Sequence, residues 1–245
     1  MRLPDWLTPG RAAADLSITV GDRALPLVIR RLAHARRLTL RLAPDGSEVR
    51  VSAPRTARSA EVVAFAHAHA EWLTSQLIRV PAPTVVSSGG TVPFRGEHLT
   101  IAHEPRAPRR PQLGGGALRL GGTAESLPPR LRRWLEGEAR RLMTQDLADY
   151  CARAGLTVTP PLSLSSARRR WGSCSARGNI RLNWRLIMAP DAVRRSVVAH
   201  EVAHLIHFDH SPQFHALLGD LFEGDLAAAN RWLKREGQGL YAPFG

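Results

Sequence analysis

The chain has 245 residues, of which 44% are hydrophobic and 22% charged, a balance that supports a sizeable core and argues against wholesale disorder. No apolar run approaches the roughly 18–20 residues of a membrane span, which excludes the transmembrane class. Basic residues outnumber acidic ones 34 to 21, for a net charge of +13 and a pI near 11.4, and that invites a polyanion reading. Yet Lys234 is the only lysine, and the excess is spread as +5, +4 and +4 over residues 1–80, 81–160 and 161–245, with no basic tail. Asp5 and Asp15, with no continuous apolar run between them, argue against a secretory signal. Cys151 and Cys174 cannot form a disulfide framework, so a cytoplasmic location is the expectation.

Residues 1–15 read as a loose lead-in. Strands are expected in LSITV, LPLVIRRL, RRLTLRLAP and SEVRVSAP between Leu16 and Pro54; leucines 38, 40 and 42 share one face, and Pro44-Asp45-Gly46 makes a hairpin turn. A helix should follow, N-capped by Ser59 and running to about Leu77 before Pro81 and Pro83. Short strands around Gly89-Gly90 and Arg95-Gly96 complete a β-rich portion over 16–103. The Pro-, Arg- and Gly-rich stretch 104–116 and the hairpin-like ALRLGG make 104–127 the expected linker and hairpin. From Pro128 a long amphipathic helix is expected to about Ala154, then strands at 162–167 and 179–187, and helices opening at Pro190-Asp191, Ser211-Pro212 and Asp225. The expected class is α+β, with residues 128–245 as a helical catalytic domain carrying a small antiparallel or mixed sheet.

Five of the ten histidines fall between positions 200 and 215, and His200-Glu201-Val202-Ala203-His204 is an HExxH sequence. On a helix, residues i and i+4 share a face, so both imidazoles can reach one Zn²⁺, while the intervening glutamate can act as general base. A catalytic zinc needs a third protein ligand. His207 lies about 10 Å from His200 along a helix axis, too far to converge on the same ion. His210, His215 and Glu223 remain candidates. The glycine that metzincins place three residues after the second histidine is His207 here, so that pattern is absent.

Arg170-Trp171-Gly172-Ser173-Cys174, Ile180-Arg181-Leu182-Asn183-Trp184, HEVAHL at 200–205, and His210-Ser211 with Phe214 together resemble the YgjP-like metallopeptidase-like domain family, related to SprT-like and WLM zinc proteases. The resemblance extends to the N-terminal RRLTLRLAPDGSEVRVSAP, Glu71-Trp72-Leu73 and Phe94-Arg95-Gly96-Glu97, and so covers most of the chain. It implies a minigluzincin-like core with His200, His204 and His210 on one zinc ion and Glu201 as general base. One position departs: the family's tryptophan after Phe214 is His215 here.

The RWGSC segment reads as a tight turn feeding an edge strand near the zinc helix, where an extended peptide could add as a strand. Arg170, Trp171, Gly172, Ser173 and Asn183 are the candidate substrate-binding residues. Cys174 reads as a small buried hydrophobe, with a fourth zinc ligand or a redox switch as alternatives. The leading function is zinc-dependent peptide hydrolysis. An alternative is hydrolysis of a nucleoside triphosphate, to which related YgjP-like proteins have been linked through UTP, with Arg168, Arg169 and Arg170 holding the phosphates. A third is a DNA-associated SprT-like protease, its contacts made by Arg30, Arg31, Arg36, Arg37 and Arg41. No ordered aromatics lie among those arginines to stack bases, and a solvated sheet face is their simpler reading. A metal-containing binding module without turnover is a fourth possibility, against which the intact Glu201 stands.

Overall fold

The structure, a computed structural model, describes residues 16–43, 46–78, 80 and 84–244. The lead-in over 1–15, the Pro44-Asp45 pair and the prolines at 81 and 83 lie outside the described residues. By its internal contacts the chain divides into two units, Met1–Pro81 and Ala82–Gly245.

The first unit is a four-stranded sheet with two helices. Strands β1 (Ser17–Val20), β2 (Arg23–Leu32), β3 (Thr39–Leu42) and β4 (Val49–Pro54) lie in the order β1-β2-β4-β3. β2 and β4 run parallel, and the outer pairs are antiparallel. The period-2 alternation drives Ile18, Val20, Leu25, Leu27, Val49 and Val51 to one face, where they pack with Val62, Ala66 and Leu73. Arg41 and Arg50 are register partners on the opposite face. Two details differ from the sequence reading. Ser59 is the first helical residue and Arg58 is the N-cap: Glu61 accepts the Arg58 backbone N–H (3.1 Å), while Ser59 Oγ accepts from Arg31 (2.9 Å). The single helix is also two, α1 (Ser59–Ala68) and α2 (Ala70–Leu77), broken at His69, whose ring nitrogen Nδ1 reaches back to the Phe65 carbonyl at 2.8 Å.

The second unit holds two sheets and four helices. Strands β5 (Thr91–Phe94), β6 (Glu97–His103), β7 (Gln112–Gly114) and β8 (Ala117–Leu120) form one sheet in the order β5-β6-β8-β7. The stretch expected as a linker therefore contributes two strands to the same sheet as residues 91–103, because β8 returns to pair parallel with β6. Helix α3 (Leu127–Arg153) starts with Pro128 and Pro129 in its first turn, where their missing N–H groups cost nothing. Leu127, Leu131, Leu135, Ala139, Met143 and Leu147 follow at four-residue intervals, and all are buried.

Strands β9 (Leu162–Ser165), β10 (Gly172–Cys174) and β11 (Ile180–Asn183) form the second sheet, in the order β10-β11-β9. The strand expected over 179–187 ends at Asn183. Its side-chain oxygen accepts the Arg185 N–H (3.1 Å), and residues Trp184–Met188 wind into a 3-10 turn. Helices α4 (Asp191–Ile206), α5 (Pro212–Leu221, capped by Ser211) and α6 (Leu226–Glu236, capped by Asp225) complete the unit. A buried ion network ties α4 to α3: Asp146 accepts from Arg194 Nε (2.7 Å) and Arg195 Nη1 (3.0 Å), with Asp146 and Arg194 only 3% and 2% exposed. Asp191 pairs with both Arg194 and Arg95. No helix among the described residues is long and apolar enough to cross a membrane. The molecule is α+β with small mixed sheets, as the sequence predicts.

Candidate metal centre

Helix α4 places His200 and His204 one turn apart on one face, and after Ile206 the chain leaves the helix at His207 and turns back to present His210. Among the described residues, His200, His204 and His210 are the one set of three or more ligand-type side chains that converge, their ligand atoms all within 4.8 Å of one another. The Nε2 atoms of His200 and His204 are 3.2 Å apart, and those of His210 and His200 are 3.3 Å apart. Nitrogens at tetrahedral corners 2.0–2.1 Å from a zinc ion stand about 3.3 Å from each other, so two edges of the triad have the spacing that one ion requires. His204 points Nδ1 at the His207 carbonyl (3.2 Å); donation there leaves the Nε2 lone pair facing the other imidazoles. Burial, and then the nearby His204, His210 and His215, push the His200 pKa down to about 4, so it is neutral at pH 7 and able to ligate. Burial likewise lowers His204.

Phe214 packs against the whole cluster. Its ring centroid lies 5.0, 4.5 and 4.9 Å from those of His200, His204 and His210. The sequence carries Phe214 only as part of a motif; its place among all three imidazoles comes from α5 packing on α4. His215, on the same helix, is exposed and its ring is 6.3 Å from that of His210. Glu223 is committed elsewhere, accepting from Tyr150 Oη (2.9 Å), Arg153 Nη1 (3.0 Å) and Arg195 Nε (2.7 Å). Burial alone would raise its pKa, but its own backbone N–H and the bonds from Arg195 and Tyr150 hold it at about 2.

Glu201 is 5% exposed and faces β10. Burial pushes its pKa up to about 7, against the opposing pull of Arg170 and of the Cys174 backbone N–H. Its Oε2 is buried and has no hydrogen-bond partner among the described residues. A buried carboxylate oxygen without a partner is costly, so it marks a place for a water or a substrate proton. Gly172 is what admits this carboxylate: a Cβ there would fall 2.3 Å from Glu201 Oε1.

Gly172 and Ser173 on β10, and Trp171 just before it, are brought beside the motif; β10 is an edge strand whose sole strand neighbour among the described residues is β11. Arg170 is exposed and close enough to act on Glu201. Asn183 is not brought to the cleft. It is fully buried, and its amide donates to the Ala167 carbonyl (2.7 Å) and to Tyr241 Oη (3.1 Å). Cys174 is half-buried, and burial and then Glu201 raise its thiol pKa, so it is a poor thiolate.

Behind β10 lies a strap that the sequence does not announce. Gly237 meets the Trp171 ring so closely that a Cβ would be 2.9 Å from it, and the Tyr241 ring sits 5.8 Å from that of Trp171. Tyr241 Oη donates to the Ala167 carbonyl (2.9 Å), and Asn183 N donates to the Trp171 carbonyl (2.7 Å). Together these contacts fix residues 167–171, the run that delivers Gly172 to Glu201.

A histidine triad converging on one point, with a buried carboxylate beside it and an open strand edge, defines a candidate metal-dependent hydrolase on an α+β scaffold. The family model described as YgjP-like, metallopeptidase domain, matches residues 36–236, most of the chain, and the chain belongs to that family. Membership makes it a metallopeptidase-type, metal-dependent hydrolase in general terms and specifies no substrate. No curated protein and no solved structure matches the chain.

Proposed function

We propose that the chain is a zinc-dependent peptidase in which His200, His204 and His210 hold the ion and Glu201 is the general base. One observation carries the reading: three imidazoles converge, two of their three Nε2 pairs at ligand spacing, beside a buried carboxylate with an unpartnered oxygen. An all-nitrogen set of three imidazoles suits zinc and leaves room for a fourth position. Bound there, the ion would supply Lewis acidity to the scissile carbonyl and lower the pKa of water toward about 7.

The protein's own residues do the rest. Glu201 Oε2 takes a proton from the attacking water, and the same carboxyl returns it to the departing amine. The edge of β10 supports an extended peptide, with Trp171, Gly172 and Ser173 as its contacts. His204 is kept in the ligating tautomer by the His207 carbonyl.

Protein purified from zinc-replete cells should contain about one zinc per chain. Glu201→Gln should keep that zinc and lose cleavage of a casein digest, and a chelator should abolish wild-type cleavage. Zinc-free protein from such a preparation would refute the reading. A second reading, hydrolysis of UTP, has one observation in its favour: Arg170 stands exposed within electrostatic reach of Glu201, where an anion could be held. UTP assayed beside the peptides, with and without chelator, separates the two, and adding duplex DNA to the peptide assay tests stimulation of the SprT-like kind.

A further inference from the structure

A cleft of about 240 Å³ opens directly against His200 and Glu201, with Gly172 in its lining. Its walls are Trp171 from the β10 segment, Ser196 and Val197 one turn before His200 on α4, Leu218 on α5, and Leu226 and Asn230 on α6. The volume falls below the roughly 300–1,000 Å³ of sites that enclose a whole drug-sized ligand, so it suits a side chain rather than a complete molecule. Apart from the motif's own His200 and Glu201, no ionisable group lines it. Val197 and Leu218 are buried, and the Ser196 hydroxyl is spent on the Val193 carbonyl (2.8 Å). Asn230, also in the lining, is exposed.

We propose that this cleft is the specificity pocket for the residue on the C-terminal side of the scissile bond, and that it selects an uncharged apolar side chain such as leucine or methionine. The inference rests on the peptidase reading and follows from proton delivery. Glu201 must pass its proton to the leaving amine, so the residue bearing that amine lies on the Glu201 side of the bond. The cleft shares its wall with Glu201, so that residue's side chain enters it. A charged side chain there would lose water, and the sole carboxylate in the lining is Glu201, which proton transfer occupies.

The pocket can be tested with and without turnover. Cleavage sites mapped by mass spectrometry on a peptide mixture should show leucine preferred over alanine after the cut by more than about tenfold, the scale at which apolar pockets discriminate by size. Leu226→Trp, which narrows the cleft from the first turn of α6, should reverse that preference toward alanine and glycine. Leucinamide reproduces the leaving fragment in miniature. Titrated into Glu201→Gln protein, it should shift the methyl resonances of Val197, Leu218 and Leu226, whereas the free α-amide of aspartate should not. Peptide cleavage without a size preference at that position would overturn the pocket and leave the peptidase intact. Shifts at those methyls with no peptide cleaved would retire the peptidase reading and keep the pocket as an apolar-residue site. No leucinamide shifts at those methyls would overturn the pocket whatever the cleavage map shows.

Discussion

Asp146→Ala removes the carboxylate on α3 that anchors helix α4, which carries His200 and His204. In the folded protein Asp146 accepts from Arg194 Nε at 2.7 Å and from Arg195 Nη1 at 3.0 Å, with side-chain exposures of 5%, 3% and 20% for the three residues. Removing one partner of a buried pair typically costs about 3–5 kcal/mol, because the remaining charge is left in a poorly solvated place. Arg194 keeps Asp191, and the more exposed Arg195 keeps Glu223, so the expectation lies at the low end, about 3 kcal/mol. The double variant Asp146→Leu with Arg194→Met should recover most of that loss, since apolar replacement of a whole buried pair is often neutral. The assay is denaturant unfolding followed by tryptophan fluorescence, to which Trp134, Trp171, Trp184 and Trp232 contribute from the same unit. All proteins should be chelator-treated, so that metal binding does not add its own mass-action term. A loss below about 1 kcal/mol for the single change, or a double variant less stable than the single, would refute the argument that this pair is a buried structural tie.

Two other consequences are open to measurement. Gly172→Ala forces a methyl to within 2.3 Å of Glu201 Oε1, so strand or carboxylate must move. With a misplacement of that order, turnover should fall by about 10²-fold while zinc content by elemental analysis stays at the wild-type value; unchanged turnover would mean that Glu201 does not act from this position. For acid stability the relevant group is Glu223, whose carboxyl is held at about 2 against an ordinary 4.5. A depressed pKa stabilises the fold above the unfolded value and loses that contribution as pH falls through the folded one. The stability gap between wild type and Glu223→Gln should therefore be constant above about pH 5 and shrink between about 4.5 and 2; a gap that widens on acidification would contradict the network.

The histidine triad was legible because its spacing is a local property: four residues along one helix and a short return loop bring three imidazoles together with no help from distant sequence. The helix starts at Asp191, Pro212 and Leu226 were legible for the same reason, the first marked by Pro190 and the other two by the capping side chains of Ser211 and Asp225. What escaped depends on partners far along the chain. Nothing near positions 104–127 announces that β8 will pair parallel with β6, so turn residues there resemble a linker. Asn183 belongs to a motif that also builds the cleft, yet its amide is consumed by Ala167, Arg185 and Tyr241, and burial makes it a support. Gly172 could be read from sequence as a turn residue. That its missing side chain is the space for Glu201 became visible only with β10 packed on α4. The break at His69 was hidden because apolar spacing continues on both sides of it.

The strap formed by residues 237–244 sets the order in which the cleft can be completed. Tyr241 closes on a carbonyl 74 positions earlier, and Gly237 backs the tryptophan that walls the pocket. During vectorial synthesis helix α4 and β10 are made before that strap. Until it docks, Trp171 lacks its backing and the Ala167 carbonyl lacks its donor from Tyr241. The cleft wall at Trp171 is thus completed only after the residues of the histidine triad have been made.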